Sequence, residues 1–169
     1  QTQLVYARQA QDMTAMTTVD ENGWLPLHHA LKDDASLGSI KLLVRGNRAA
    51  LQVADQNGVY PVHIACKFSS AKVVKYLVEL AGDTLNNVDA NKDSPLHYAC
   101  REGNLGVVKY LLERNAPSVS ERNSNNKLPI HLLLECKESK VDKECTEYIE
   151  VVWLFLSAYP EVVRDFMSY

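Results

Sequence analysis

The chain has 169 residues, a formal net charge of −3 and 46% hydrophobic residues, with a sequence pI near 6.0. That is enough apolar material for the core of one domain, and the mild acidity argues against a nucleic-acid module, which normally carries a strong basic excess. No apolar run approaches the ~18–20 residues of a membrane span, and the N-terminus has no signal-peptide pattern.

Residues 1–16 (QTQLVYARQAQDMTAM) have a helix-forming composition, with Leu4, Val5, Ala10, Met13 and Met16 available to pack on the first repeated unit. The chain begins with Gln1 rather than Met, which suggests a segment of a longer protein. From residue 20 a pattern sets in. Asp20 is followed by Gly23 and then by Leu25-Pro26-Leu27-His28. The same order recurs as Asp55, Gly58 and Tyr60-Pro61-Val62-His63, as Asp89, Lys92 and Ser94-Pro95-Leu96-His97, and as Asn123, Asn126 and Leu128-Pro129-Ile130-His131. The histidines are 35, 34 and 34 residues apart.

Each opening reads as a β-turn finger whose glycine supplies a positive φ. Asn126 tolerates that conformation and Lys92 does so poorly, so the third finger should be the most strained. Proline then sits at the first helical position, where its missing N–H costs nothing. The residue before it should cap the helix. Only Ser94 is a good cap; Leu25, Tyr60 and Leu128 each forgo about 1 kcal/mol of capping and must recover some of it by packing.

The first helices are predicted over 26–32, 61–68, 95–102 and 129–136. Ala30, Ala65, Ala99 and Leu133 come two positions after the histidines; alanine permits close helix approach, and Leu133 implies looser or terminal packing. Second helices are predicted from apolar periodicity in Leu37-x-x-Ile40-x-Leu42-Leu43, Val73-Val74-x-Tyr76-Leu77, Leu105-x-Val107-Val108-x-Tyr110-Leu111 and Ile149-x-Val151-Val152-x-Leu154-Phe155. The pairs are joined by 32–36 (KDDAS), whose one extra residue accounts for the 35-residue interval, by Ser69-Ser70 and by Gly103-Asn104. In the fourth pair the insertion 135–146 (ECKESKVDKECT) is charged and reads as a solvated, extended and mobile loop, with a specificity element, a tolerance site or an extension of either helix as the alternatives.

A period near 33 residues built on Thr-Pro-Leu-His-x-Ala is the ankyrin signature. On these motifs residues 20–165 resemble an ankyrin-repeat domain. The resemblance implies an all-α solenoid of helix-turn-helix units with β-turn fingers. The repeats would run 20–54, 55–88, 89–122 and 123–160, between partial units at 1–19 and 161–169, with Phe166 and Met167 covering the open end. The resemblance gives Pro26, His28, Pro61, His63, Pro95, His97, Pro129 and His131 a structural role, each His tying one unit's loop to the next. Neighbouring histidines stand ~8–10 Å apart by helix packing, too far to converge on one zinc ion. Cys66 and Cys100 are equally spaced, beyond disulfide reach, and read as buried free thiols of a reducing compartment. Cys136 and Cys145 are less constrained.

The family most often binds proteins on the concave face formed by fingers and first helices. Carried onto this chain, that face offers Trp24, Val59, Asp93 and Lys127 from the fingers, and Lys32, Lys67, Phe68 and Arg101 from the helices. Trp24 and Phe68 are the aromatic anchors, although Trp24 has the alternative of packing on its own finger. Lys32, Lys67 and Arg101 form a basic stripe interleaved with Asp33 and Glu102. Asn22, Asn57, Asn91 and Asn125 form an asparagine ladder that also reads as turn chemistry. Asn86 alone matches the position at which asparagines of this family are hydroxylated.

The function expected is therefore a non-enzymatic protein-interaction module of a larger scaffold or regulatory protein, cytoplasmic or nuclear, monomeric as an isolated domain and without cofactor or metal. The alternative is an intramolecular regulatory or oligomerising array within a channel, kinase or other enzyme. Catalysis would have to use Cys136 with His131, or a Cys/His cluster with Cys145, and no phosphate loop, nucleophile elbow or Cys-x-x-Cys supports it.

Overall fold

A computed structural model describes residues 17–114, 117–136 and 145–161. The expectations placed on 1–16, on the middle of the insertion (137–144) and on 162–169 lie outside the described residues. Among the described residues there are eight α-helices, three 3-10 helices and no strand, which is the all-α class expected.

Local chemistry sets the order of the elements. A finger leads into α1 (Pro26–Lys32), which returns as α2 (Leu37–Gly46) and leaves through a 3-10 turn, Arg48–Gln52. The unit then repeats as α3 (Pro61–Phe68), α4 (Ala71–Leu80) and the turn Gly82–Asn86, and again as α5 (Pro95–Glu102), α6 (Leu105–Glu113) and the turn Pro117–Ser120. The last pair is α7 (Pro129–Glu135) and α8 (Thr146–Ala158). First helices stack in the order α1, α3, α5, α7, and second helices in the order α2, α4, α6, α8. Consecutive units thus share one continuous core.

That core runs between the two layers. Ala30, Ala65 and Ala99 are fully buried where first helices meet. Leu133 is fully buried as well. Ile40, Val74, Val108, Leu77, Leu111 and Phe155 line the second-helix side. The poor caps Leu25 and Leu128 are 3% and 0% exposed, so core burial offsets their missing side-chain acceptors. Ser94 behaves as a cap, its Oγ accepting from His97 N at 3.4 Å.

Two connections differ from the sequence reading. The longer first loop absorbs its extra residue by placing Asp34 in the left-handed region, φ 49°, a position that periodicity does not reveal. The 3-10 turns after α2, α4 and α6 are likewise invisible to a 3.6-residue search; each buries an apolar or small side chain, such as Leu51, Leu85 or Ser118. The insertion is bracketed by cysteines with local tasks. Cys136 Sγ donates to the Arg101 carbonyl at 3.6 Å, and Cys145 Sγ accepts from Tyr148 N at 3.3 Å as the N-cap of α8. The four cysteines are free, and burial pushes the Cys66 and Cys100 thiols well above their usual range.

Candidate protein-binding face

The fingers are rigid because one side-chain oxygen closes each of them. Asp20 Oδ1 accepts from Asn22 N at 2.8 Å and Trp24 N at 2.9 Å. Asp55 does the same for Asn57 and Val59, Asp89 for Asn91 and Asp93, and Asn123 for Asn125 and Lys127. The left-handed corner falls on Gly23, Gly58, Lys92 (φ 59°) and Asn126 (φ 60°); of these, Lys92 is the residue to which that region is least natural. Asx bonding therefore belongs to the opening residues. The asparagine ladder contributes backbone instead: the carbonyls of Asn22, Asn57 and Asn91 accept from Gln56 N (3.3 Å), Ala90 N (2.9 Å) and Ser124 N (2.8 Å) of the following finger.

Behind the fingers stand the motif histidines. In every unit Nδ1 accepts the N–H of the residue before proline: Leu25 to His28 (3.0 Å), Tyr60 to His63 (3.0 Å), Ser94 to His97 (3.2 Å) and Leu128 to His131 (2.9 Å). A nitrogen facing an N–H has no room for its own proton, so these rings are neutral with the proton on Nε2. That proton donates to the Asn87 carbonyl from His63 (3.2 Å) and to the Lys127 carbonyl from His97 (3.1 Å), tying units together. His28 Nε2 is buried without a hydrogen bond; the Val53 carbonyl is near enough to raise the ring's proton affinity but the pair misses bonding geometry. Burial is the dominant influence on His28, His63 and His97, holding all three below the usual imidazole range and His63 down to about 4.

The candidate contact residues fall into register across the groove. Finger position 24, 59, 93 or 127 faces the first-helix position eight residues on, and the four pairs close differently. In the first unit Lys32 Nζ lies over the Trp24 ring, 5.1 Å from its centroid. In the third, Arg101 binds Asp93 Oδ2 at 2.6 Å, and in the fourth Lys127 binds Glu135 at 2.5 Å. The second unit has Val59 opposite Lys67, and valine cannot hold an ammonium. Lys67 turns instead to the Phe68 ring, 4.8 Å from its centroid, and to Glu102 at 3.7 Å.

Trp24, Val59, Lys67, Arg101 and Lys127 are half-buried, Lys32 is exposed, and Phe68 is 41% exposed. Asp93 is buried, with its second oxygen accepting from Asn123 Nδ2 at 2.8 Å. Trp24 does not pack on its own finger alone: its indole N–H donates to Asp55 Oδ2 of the next finger at 2.9 Å, and its ring meets His29 edge-on. The basic stripe is neutralised from within, because Lys67 and Arg101 each have an acidic partner. Asn86 ends the second 3-10 turn in an exposed position.

The opposite surface carries a second ladder, which in the sequence is visible only as lysines in register. Lys41 lies over the Tyr76 ring at 5.4 Å and Lys75 over Tyr110 at 5.2 Å, while Lys109 binds Glu150 at 2.8 Å. Each reaches from one second helix to the next, so these lysines cement the stack. Among the described residues no group of three metal-ligating side chains converges, and no helix is long and apolar enough to cross a membrane.

Fingers, paired helices and inter-unit histidine bonds, repeated along the chain, define a helical repeat protein of the solenoid class. The family model for ankyrin repeats, three copies long, matches residues 34–123 and 80–161; the chain belongs to the ankyrin-repeat family. Comparison with curated proteins gives no match. Ankyrin repeats are in general protein–protein interaction modules and typically lack catalytic activity.

Proposed function

We propose that the chain is a non-enzymatic segment of a larger scaffold or regulatory protein and holds a protein partner on the face formed by its fingers and first helices. The observation that carries this reading is the open second unit. In the third and fourth units the finger and helix residues satisfy each other by ion pairs. In the second, Val59 offers no such partner, and Lys67 lies over the Phe68 ring, as Lys32 lies over Trp24 in the first. Partly exposed, rigid aromatic side chains such as Trp24 and Phe68 are the usual energetic centre of an interface. Asp93 and Arg101 serve in this reading as supports that stiffen the rim, and Lys32 as the exposed cation that meets an acidic group of the partner. Free, buried thiols fit a cytoplasmic or nuclear setting, and the isolated domain is monomeric.

The test is affinity capture with the wild type beside a Trp24→Ala, Phe68→Ala double variant. Specific partners should be lost from the double variant and retained by a control carrying Arg45→Glu and Lys72→Glu, both on exposed parts of the second helices. Lys41, Lys75 and Lys109 are unsuitable controls because their reversal would weaken the stack itself. Retention by the aromatic variant with loss from the control would move the site to the other face.

A further inference from the structure

The finger-tip asparagines are only half used by the fold. The carbonyls of Asn22, Asn57 and Asn91 accept from Gln56 N, Ala90 N and Ser124 N of the following finger. Their side-chain amides, and that of Asn125, are exposed and make no hydrogen bond among the described residues. Each of these asparagines is followed by the corner residue of its finger: Gly23, Gly58, Lys92 and Asn126, at φ 78°, 75°, 59° and 60°. Every corner N–H donates to the carbonyl of the opening residue. Gly23 to Asp20 and Gly58 to Asp55 measure 3.0 Å, and Lys92 to Asp89 and Asn126 to Asn123 measure 2.9 Å. The backbone is thus alike at the four corners, and what differs is the residue after the asparagine: glycine twice, then lysine, then asparagine.

An asparagine followed by glycine can react with its own backbone. Once the glycine nitrogen has given its proton to hydroxide, its lone pair attacks the asparagine Cγ. The new N–Cγ bond closes a succinimide ring, and the side-chain nitrogen leaves as ammonia after taking a proton from water. Water then opens the ring. Addition at Cγ gives aspartate; addition at the backbone carbonyl gives isoaspartate, in which the chain runs through Cγ and the α-carboxylate hangs free. Water is the only co-reactant, and nothing is oxidised or reduced. A Cβ on the attacking residue crowds the approach, whereas glycine removes that obstacle and leaves the backbone free to turn into it. The corner hydrogen bond has to break first. Bonds of exposed turns open at low free energy compared with those of a core, and the tips of the first two fingers are exposed.

We propose that Asn22 and Asn57 are modification sites at which the folded chain converts itself to isoaspartate, while Asn91 and Asn125 are spared. Each conversion inserts an extra carbon into the finger backbone. Asp20 Oδ1 then cannot hold Asn22 N and Trp24 N together as it does now, and Asp55 loses its joint hold on Asn57 and Val59. The carbonyl to which Gln56 N or Ala90 N is bonded leaves the chain and becomes a carboxylate. Trp24 and Val59 are the residues displaced, so the reaction slowly remodels the candidate binding face and adds negative charge to its rim.

No partner enters the test, so its failure leaves the partner-binding reading untouched. Folded protein is held at mildly alkaline pH below its melting temperature. Conversion at each asparagine is followed by peptide mapping with electron-transfer fragmentation, which tells isoaspartate from aspartate. Asn22 and Asn57 should convert at least several-fold faster than Asn91 and Asn125 in the same molecules. Lys92→Gly, which suits a corner at φ 59°, should make Asn91 convert as well. Converted chains, resolved by anion exchange through their added charge, should melt at a lower temperature than unconverted ones. Conversion of Asn22 and Asn57 no faster than that of Asn91 and Asn125 in the folded chain, even if fast in urea, would overturn the proposal, because the finger bonds would then hold the corners shut. So would an Asn91 that stays unconverted in Lys92→Gly, or converted chains that melt with the unconverted ones.

Discussion

His63 provides the sharpest test of how the units are joined. Its ring is neutral in the folded chain because Nδ1 faces the Tyr60 N–H and burial disfavours charge, and its pKa is held down to about 4 against an ordinary 6.5. As pH falls below 6.5 the unfolded chain takes up the proton first, so folded stability that is complete above pH 6.5 declines until pH reaches about 4 and then levels off. At ~1.4 kcal/mol per unit, this one ring should cost the fold about 3 kcal/mol over that window. His63→Gln should be less stable at pH 7 by ~1–3 kcal/mol, because the Tyr60 N–H and the Asn87 carbonyl lose a shaped partner. It should also lack the acid-dependent decline. The gap between wild type and variant, measured by urea unfolding followed by circular dichroism at a series of pH values, should therefore shrink by about 3 kcal/mol between pH 6.5 and 4. His28 and His97 are present in both proteins and cancel. Curves that run parallel would refute the neutral, Nε2-protonated hub.

Lys92→Gly should raise the melting temperature, since glycine relieves a left-handed lysine at a gain of up to ~1 kcal/mol, whereas Gly58→Ala should lower it, because φ there is +75° and the new Cβ would sit 3.3 Å from Ala90 N. Asp93→Ala should destabilise by about 2 kcal/mol in chemical denaturation by leaving Arg101 and Asn123 without their charged acceptor; an unchanged midpoint would show the third clasp to be ornamental. For binding, Lys32→Glu should slow association and flatten its salt dependence, whereas Trp24→Ala and Phe68→Ala should mainly speed dissociation, all readable by surface-based kinetics once a partner is captured. Replacing 137–144 with a short Asn-Gly turn should preserve cooperative unfolding, and loss of folding would show that the insertion packs on the repeats.

The architecture is legible in the sequence because each unit solves a local problem with few residues: an Asx side chain to close a turn, a positive-φ corner, proline at the first helical position and histidine two residues later. Those choices depend on neighbours a few positions away, so spacing alone exposes the four fingers and the first-helix limits to within a residue. Partnerships across units are a different matter. That Val59 faces Lys67 without holding it, that Asp93 is buried rather than offered to a partner, and that Lys41 and Lys75 are laid over tyrosines of the next helix all depend on the stacking geometry. Local chemistry determined which elements form. Only stacking decided which of their side chains are spent on the neighbouring unit and which remain to meet another molecule, because residues some 35 apart in the chain become neighbours only when the helices pack.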